Sequence, residues 1–285
     1  MRAWRGRSGR MPSIAERRTE FRQLHADGCF VLPNPWDLGS ARYLQYLGAR
    51  AVATTSAGVA FALGEPDGAV ACDVMLAHIA AIVAGTDLPV NADFGNGFAE
   101  DPEQLAQHVR QCVAAGVAGL SIEDATGDRG TPLYPLAQAV ERVRAARQAA
   151  GDDVVLTARA EGFLVGRPDL DDVLTRLQAF AAAGADCLYA PGLRHRDEIA
   201  AVVGAVAPKP VNVLMSAPIG FTVTDLAALG VRRVSVGSGL ARAAWGGFVR
   251  AARELLARGT FEALADATPF AELDGFFTAD KSRRR

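Results

Sequence analysis

The chain has 285 residues, of which half are hydrophobic and 22% are charged, and its formal net charge is −2. This length and composition suit one large domain with an ample core, and the near-neutral charge shows no footprint for nucleic acid. No apolar run approaches the roughly 18 residues of a membrane span, so neither a nucleic-acid partner nor a membrane is expected.

Basic residues gather at both ends of the chain. We expect residues 1–12 to form a disordered basic tail, residues 13–278 to form one domain, and residues 279–285 to form a second basic tail. The first ten residues lack the apolar core of a signal peptide. Four widely spaced cysteines form no CxxC pair and no cysteine–histidine cluster, which indicates free thiols in a reducing cytoplasm rather than zinc ligands.

One sequence phrase recurs along the chain: an Ala/Leu-rich helix ends at a glycine, a short apolar strand follows, and the strand ends in small or polar residues. The four copies are YLGARAVATTS (46–56), AAGVAGLSIED (114–124), AAGADCLYAPG (182–192) and ALGVRRVSVGS (228–238). Glycine suits the left-handed position after a helix, and continuous apolar strands suit a parallel sheet that is buried on both faces.

Four further strands complete a set of eight that alternates with amphipathic helices. These strands are predicted at 29–36, 88–94, 154–160 and 209–215. Eight such units predict a (β/α)₈ TIM barrel. An open doubly wound sheet is the alternative, and the lack of a GxGxxG motif after the first strand counts against it. Helical segments at 239–259 and near 261–277 predict a C-terminal helical extension.

Carboxylates collect at the predicted C-terminal strand ends, where the active site of a barrel lies. In VNADFGNG, Asn91 and Asp93 are two residues apart, so their side chains share one face of the strand. Crowded carboxylates need a cation or protons, and a set of oxygen ligands suits Mg²⁺ or Mn²⁺. We therefore predict a metal site at Asp93, Glu123 and Asp67, with Asn91 beside it.

The remaining polar residues at these strand ends predict a carboxylate-binding pocket. Arg159 is expected to clamp the carboxylate of the substrate, because a guanidinium pairs with it through two hydrogen bonds. The alternative for Arg159 is a structural ion pair with Glu161 or Glu123. The other residues predicted to bind substrate are Trp36, Ser56, Ala57, Gly58, Asp67, Asn96 and Asn212.

Six motifs together carry a family resemblance. They are NPWDLGSA (34–41), TTSAGVA (54–60), GEPDG (64–68), NADFGNG (91–97), SIED (121–124) and TARAEGF (157–163). Over roughly residues 25–280 the chain resembles the isocitrate lyase/phosphoenolpyruvate mutase superfamily. The resemblance implies a (β/α)₈ barrel whose last helix is swapped between the subunits of a dimer or tetramer. It also implies Mg²⁺ and small 2-oxo or 2-hydroxy carboxylate substrates that react through an enolate.

By position, the resemblance implies that Asp93 binds the metal directly and that Glu123 and Asp67 bind it through water. The residues that it implies for the substrate carboxylate are Ser56, Gly58 and Arg159. The chain departs from the family pattern at Asn91, where the family carries an aspartate, so one negative charge is missing.

The loop after the fourth strand, ATGDRGTPLYPL (125–136), also departs from the pattern. It lacks the cysteine, lysine and histidine of the lyases, and the lysine and asparagine of the phosphonate enzymes. The proton donor would then be water, Tyr134, Asp128 or Arg129, with Arg159 and Glu123 completing the catalytic set. These observations predict a Mg²⁺-dependent C–C lyase. The alternatives are a C–P bond hydrolase or mutase and a non-catalytic 2-oxo acid binding protein.

Overall fold

The computed structural model describes residues 11–284, and the centre of the chain is a barrel of eight parallel strands. The strands are β1 (Phe30–Leu32), β2 (Val52–Ala53), β3 (Val90–Asp93), β4 (Gly119–Glu123), β5 (Val155–Arg159), β6 (Cys187–Tyr189), β7 (Val211–Leu214) and β8 (Arg233–Ser235). Neighbouring strands pair from β2 through to β8, and β8 pairs with β1. A backbone hydrogen bond of 3.1 Å from Ala53 N to Pro33 O completes the ring. The predicted (β/α)₈ fold is confirmed.

Helices surround this barrel. They are α1 (Ile14–Ala26), α2 (Leu38–Tyr46), α3 (Ser56–Leu63), α4 (Cys72–Gly85), α5 (Pro102–Ala114), α6 (Leu136–Ala150), α7 (Leu170–Ala182), α8 (Arg196–Val206) and α9 (Val223–Ala228). The helix ends follow local sequence. At α5, Asp101 accepts hydrogen bonds from the backbone N–H groups of Glu103 and Gln104, and Pro102 occupies the first helical position, where no backbone N–H is needed.

The repeated glycines end the helices as the sequence predicts. Gly116 and Gly184 have φ values of +92° and +107°, a left-handed conformation that favours glycine. At Gly184 a Cβ atom would also lie 2.8 Å from Cγ of Arg147. A side chain at this position would therefore be strained by both the backbone and its neighbour.

The apolar core lies in two layers. The larger cluster packs the outer faces of the strands against the helices. The smaller cluster contains Phe21 and Leu24 of α1 together with residues at or just before the starts of several strands, including Ala118 and Val155. The helix α1 therefore covers the N-terminal end of the barrel, and the opposite end is left for the polar residues.

Residues 240–284 form a second compact unit, whereas the sequence analysis keeps them in the barrel domain. This unit contains most of α10 (Gly239–Arg258), a short 3₁₀ helix (Glu262–Asp266) and α11 (Phe270–Arg283). In the segment expected to be a basic tail, 279–285, α11 continues to Arg283, and Asp280 pairs with Arg283 and Arg284. Of the expected N-terminal tail, residues 1–10 lie outside the described residues. Over the described range, no helix has both the length and the apolarity to cross a membrane.

Candidate active site

A polar cavity of about 150 Å³ opens at the C-terminal ends of the barrel strands. It is smaller than the roughly 300–1,000 Å³ typical of sites for drug-sized ligands, so it suits a small molecule. Seven residues that the sequence predicts for the site line this cavity: Ser56, Ala57, Asp67, Asn91, Asp93, Arg159 and Asn212.

Arg159, the last residue of β5, holds three carboxylates together. Its Nη1 lies 2.7 Å from Oδ1 of Asp93, and its Nη2 lies 3.2 Å from Oε2 of Glu123. Its Nε lies 2.7 Å from Oε1 of Glu161. Burial alone would lower the pKa of Arg159, but the three carboxylates raise that pKa well above its usual value. The ion pairs that the sequence offers as the alternative role of Arg159 are present, and Arg159 also faces the cavity.

Asp93 connects this cluster to the start of α3. Its Oδ2 accepts a hydrogen bond of 3.0 Å from the backbone N–H of Ser56, the first residue of that helix. Its own backbone N–H donates to Oγ1 of Thr54 at 2.9 Å. A carboxylate at a helix N-terminus is stabilised by the helix dipole. Asp93 is therefore fixed between two neighbouring elements, with its carboxylate directed to the cavity.

Burial shifts the protonation of the other carboxylates in the site. It raises the pKa of Glu123 to about 8, although Arg159 opposes the shift. It also raises the pKa of Asp67, where a hydrogen bond with the side chain of Ser56 opposes the shift. Carboxylates that are this hard to ionise favour binding of a cation, because a cation stabilises their charged form.

A second ion-paired layer supports the loops behind the site. Asp124 accepts a hydrogen bond of 2.8 Å from the backbone N–H of Glu161 and lies 3.2 Å from Nη1 of Arg176. Burial raises the pKa of Asp124 to about 6, against these two contacts. Arg176 also donates to the backbone oxygen of Tyr134 at 3.0 Å. The loops that follow β4 and β5 are thus fixed to α7.

Among the further residues that line the cavity and that the sequence analysis missed are Ser121, Tyr189, Arg233 and Ser235. The guanidinium of Arg233 donates to Oδ1 of Asn212 at 2.8 Å and to Oγ1 of Thr157 at 3.0 Å. It also contacts Nε2 of His25 on α1 at 3.3 Å. Burial lowers the pKa of His25 to about 3, so this imidazole is neutral and accepts the N–H of Arg233.

Five residues that the sequence predicts for the site are not among those that line the cavity. One of them is Glu123, which is connected to the site by its ion pair with Arg159. The backbone N–H of Gly58 donates to Oγ1 of Thr55, which caps α3. The amide of Asn96 is bonded to the backbone of Thr126 and Phe98. The backbone N–H of Trp36 donates to Oγ of Ser40. These three contacts fix local backbone at the edges of the site.

Tyr134, the fifth residue, lies outside the cavity, and its ring stacks under the guanidinium of Arg142, at 4.2 Å. It borders a separate surface groove between the loops after β4 and β5. The other two candidate proton donors, Asp128 and Arg129, are exposed in the loop, where Asp128 bonds the backbone N–H of Gly130. None of the three side chains lines the cavity in which a substrate would bind.

The cavity residues fit a divalent cation that keeps part of its water shell. Four carboxylates lie near the guanidinium of Arg159. Asp67 and Asp93 line the cavity, and Glu123 and Glu161 form ion pairs with Arg159. Oδ1 of Asn91 is buried and has no hydrogen-bond partner among the described residues. Among the described residues no group of three or more His, Cys, Asp or Glu side chains is arranged to hold a metal ion by itself, so water and substrate would have to supply further ligands. An oxygen-rich, open site of this kind suits Mg²⁺, which usually retains several waters.

Comparison with known sequences identifies relatives of this chain. The profile of the phosphoenolpyruvate phosphomutase family matches residues 21–256. An uncharacterized protein from Mycobacterium tuberculosis is 35% identical over 89% of this chain and 94% of its own length. An oxaloacetate decarboxylase from Paraburkholderia xenovorans is 31% identical over 82% and 79% of the two chains. The 2-methylisocitrate lyase of Escherichia coli is 34% identical over 51% of each chain.

Comparison with solved structures identifies relatives of the same kind. A putative lyase/mutase from Burkholderia cenocepacia is 50% identical, with a TM-score of 0.90 over 93% of this chain and 97% of that one. An oxaloacetate acetylhydrolase bound to its product oxalate is 26% identical, with a TM-score of 0.83 over 95% and 97%. A phosphonopyruvate hydrolase bound to oxalate and Mg²⁺ is 25% identical, with a TM-score of 0.81 over 94% and 98%. The chain therefore belongs to the phosphoenolpyruvate phosphomutase family, within the phosphoenolpyruvate mutase/isocitrate lyase superfamily.

Proposed function

We propose that this protein is a Mg²⁺-dependent lyase that breaks a C–C bond of a small 2-oxo or 2-hydroxy carboxylate, with oxaloacetate as the first substrate to test. The observation that carries the proposal is the position of Arg159. It lies between Asp93 and Glu123, faces a cavity of about 150 Å³, and is close to the N-terminus of α3. Such a site offers a guanidinium, oxygen ligands and backbone donors to one small acid.

The residues of the cavity divide the binding of the substrate between them. Arg159 pairs with the substrate carboxylate, because its planar guanidinium matches a carboxylate with two parallel hydrogen bonds. Ala57 lines the cavity at the second position of α3, where a backbone N–H has no partner within the helix. Its N–H adds a second donor and helps to orient the substrate.

Asp93, Glu123 and Asp67 would hold Mg²⁺, with Asn91 beside them. When bound, Mg²⁺ supplies a Lewis acid that stabilises negative charge on the C2 oxygen of the substrate. Arg159 already bonds to Oδ1 of Asp93, so substrate binding draws Arg159 away from that oxygen while the carboxylate of Asp93 keeps its bond to Ser56 N. The charged side chains of the site therefore exchange partners when the substrate binds, and no further charged side chain has to be buried.

The choice of substrate follows from the loop at 125–136. A positioned general acid contributes roughly 10²–10⁴-fold to a rate, and the lyase loop residues that would supply it are missing here. Cleavage of isocitrate or 2-methylisocitrate should therefore be slow. Decarboxylation of oxaloacetate should be faster, because its leaving fragment is CO₂ and needs no proton. The similarity to oxaloacetate decarboxylases supports this order.

The test is a set of steady-state rates on oxaloacetate, 2-methylisocitrate, isocitrate and phosphonopyruvate, with Mg²⁺ and with EDTA. Because Mg²⁺ alone promotes decarboxylation of oxaloacetate, each rate is compared with a protein-free blank and with the Asp93→Asn variant at the same Mg²⁺ concentration. We expect the highest kcat/KM on oxaloacetate and its loss in EDTA. Isocitrate turnover near a typical kcat of ~10 s⁻¹ would contradict the proposal.

A C–P bond hydrolase is the second candidate, and the similarity to phosphonopyruvate hydrolase favours it. Release of phosphate from phosphonopyruvate at a higher kcat/KM than turnover of oxaloacetate would support it. A non-catalytic 2-oxo acid binding protein is the third, favoured by the missing loop residues. Binding of oxalate with Mg²⁺ but no turnover of any of the four substrates would identify such a protein.

We also propose that the protein is a cytoplasmic homodimer or homotetramer. Its four cysteines are all free, as expected in a reducing compartment. The C-terminal unit exposes large apolar side chains, including Phe248, Phe261 and Phe270, and exposed apolar surface of this kind commonly forms protein interfaces. Light scattering after size-exclusion chromatography would give the mass of the assembly, and a monomer would contradict the proposal.

A further inference from the structure

Tyr189 is the tyrosine among the described residues that line the cavity, and none of the roles described above involves it. It is the last residue of β6 and is 7% exposed. Its ring lies beside Arg159, whose Cζ is 5.2 Å from the ring centroid. No histidine, cysteine or lysine side chain is among the described residues that line the cavity. Tyr189 is therefore well placed to supply a proton, since the carboxylates of the cavity, Asp67 and Asp93, are assigned to the metal.

A chain of hydrogen bonds with a fixed direction runs from Arg233 to Ser235, which lines the cavity together with Tyr189. Arg233 only donates, so it fixes Oδ1 of Asn212 as the acceptor. The amide nitrogen of Asn212 must then donate, and it does so to Oγ of Ser235 at 2.9 Å. Ser235 lines the cavity together with Tyr189, and its side chain lowers the pKa of that phenol against the effect of burial. Since Oγ of Ser235 accepts from Asn212, the hydroxyl hydrogen of Ser235 is available to the phenol oxygen.

We propose that Tyr189 is the general acid of this enzyme and delivers its proton to C3 of the pyruvate-type enolate that bond cleavage leaves. This inference rests on the proposed function and names a proton donor for it. It applies equally to C–C and C–P cleavage, because both reactions leave the same enolate. Arg233, Asn212 and Ser235 are positioning residues that orient the phenol.

The step balances for oxaloacetate. The C3–C4 bond breaks, C4 leaves as CO₂, and the bonding pair becomes the C2–C3 double bond of the enolate. C3 then forms a bond to the proton of Tyr189, the C2 oxygen returns to a carbonyl, and pyruvate results. The phenolate that remains on Tyr189 takes a proton from water.

The surroundings of Tyr189 keep it protonated before the reaction. Burial raises its pKa, and the nearby Arg159 opposes this shift only in part. A phenol with a raised pKa holds its proton at neutral pH and gives it up only to a strong base such as an enolate carbon. The candidates in the loop after β4 do not compete for this role, since Tyr134 and Asp128 do not line the cavity.

The test determines which face of C3 receives the proton. Decarboxylation of 3-methyloxaloacetate in D₂O, with Mg²⁺ and the full-length protein, yields 2-oxobutyrate that carries deuterium at C3. Immediate reduction with lactate dehydrogenase and NADH preserves that centre for NMR analysis. We expect wild-type protein to give one configuration at C3. Tyr189→Phe should give both configurations, with kcat on oxaloacetate lowered about 10²-fold.

Three further variants make the result decisive. Tyr46→Phe changes a tyrosine on α2, outside the cavity, and should match wild type. Ser235→Ala keeps the phenol but removes its hydrogen-bond partner, so it should lower kcat and keep one configuration. A single configuration and an unchanged kcat in Tyr189→Phe would overturn this inference and leave the proposed function intact. Loss of selectivity in Tyr134→Phe instead of Tyr189→Phe would do the same, whereas no wild-type turnover would overturn the proposed function as well.

Discussion

The two sides of the cavity are built from opposite chemistry. One side, formed by the ends of β3, β4 and β5, carries Asp93, Glu123 and Arg159, whose charges interact directly. The other side, formed by β7 and β8, carries the neutral Asn212 and Ser235, and the charge of Arg233 there bonds to the amide of Asn212 rather than to a carboxylate. We call these the charged side and the amide side.

The difference shows how the site separates binding from orientation. Groups on the charged side change partners when a cation and an acid enter, because their present contacts are with one another. Groups on the amide side keep their partners, because Arg233 fixes the direction of each hydrogen bond. Changes on the charged side should therefore alter affinity and stability together, whereas changes on the amide side should alter turnover.

The largest effect should come from breaking the charged side at its centre. Arg159→Met leaves three carboxylates without their partner, so turnover should be lost and the free energy of unfolding should fall by about 3 kcal/mol. Mg²⁺ should restore part of that stability by taking the place of the guanidinium charge. Chemical denaturation with and without Mg²⁺ measures both effects. Arg110→Met, an exposed change on α5, is the control; equal stability of the two variants would contradict the prediction.

The next effect concerns the cation itself. Asp93→Asn keeps the shape of the side chain and its bond from Ser56 N but removes the charge, so Mg²⁺-dependent binding of oxalate should be lost. The fold should remain, because Asp93 lies at the edge of the cavity. Isothermal titration calorimetry with oxalate, in Mg²⁺ and in EDTA, gives the result. Asp73→Asn removes an exposed carboxylate on α4 as the control. Unchanged binding would remove Asp93 from the metal site.

The free energy of unfolding should depend on pH through Glu123, which belongs to the charged side. The pKa of Glu123 is about 8 in the folded protein, above its value of about 4.3 in an unfolded chain. The folded state thus holds this proton more tightly, so its contribution to stability is complete below about pH 4 and is lost as the pH rises through about 8. Relative to Glu123→Gln, which stays neutral, wild-type protein should lose about 1–3 kcal/mol across that window.

Urea unfolding at several pH values, without metal, measures this difference. Added Mg²⁺ should reduce it, because the cation stabilises the ionised carboxylate. Parallel stability curves for wild type and Glu123→Gln would show that Glu123 ionises normally and that Arg159 dominates its surroundings.

The sequence predicts the charged side better than the amide side, and the reason is physical. Acidic residues at the ends of apolar strands stand out, and a parallel barrel brings strand ends to one place, so Asp93 and Arg159 could be placed together without coordinates. Arg233 is also visible inside an apolar strand, in VRRVSV. Its partners Asn212 and His25 come from distant parts of the chain, however, and only the fold shows that they meet.

Loop residues were harder to place than strand residues. The side chains of asparagine and threonine bond readily to nearby backbone, which competes with binding of a ligand. This is what Asn96 does, and Thr55 does the same as the cap of α3. Tyr189 is a strand residue, and it was missed for a different reason. It ends one of the repeated strands, but an aromatic residue there is also typical of a buried barrel core.

The smallest effect should come from adding a charge beside the cation. Asn91 is buried, and its Oδ1 has no hydrogen-bond partner among the described residues. At an effective dielectric constant of about 20, a charge pair ~4 Å apart is worth roughly 4 kcal/mol before desolvation, and the cost of burying a carboxylate offsets much of this. Asn91→Asp should therefore tighten Mg²⁺ binding about tenfold and lower stability in EDTA. Asn96→Asp adds the same charge outside the cavity and should leave Mg²⁺ affinity unchanged. Equal or weaker Mg²⁺ binding by Asn91→Asp would mean that Asn91 does not face the metal, and the charged side would then end at Asp93.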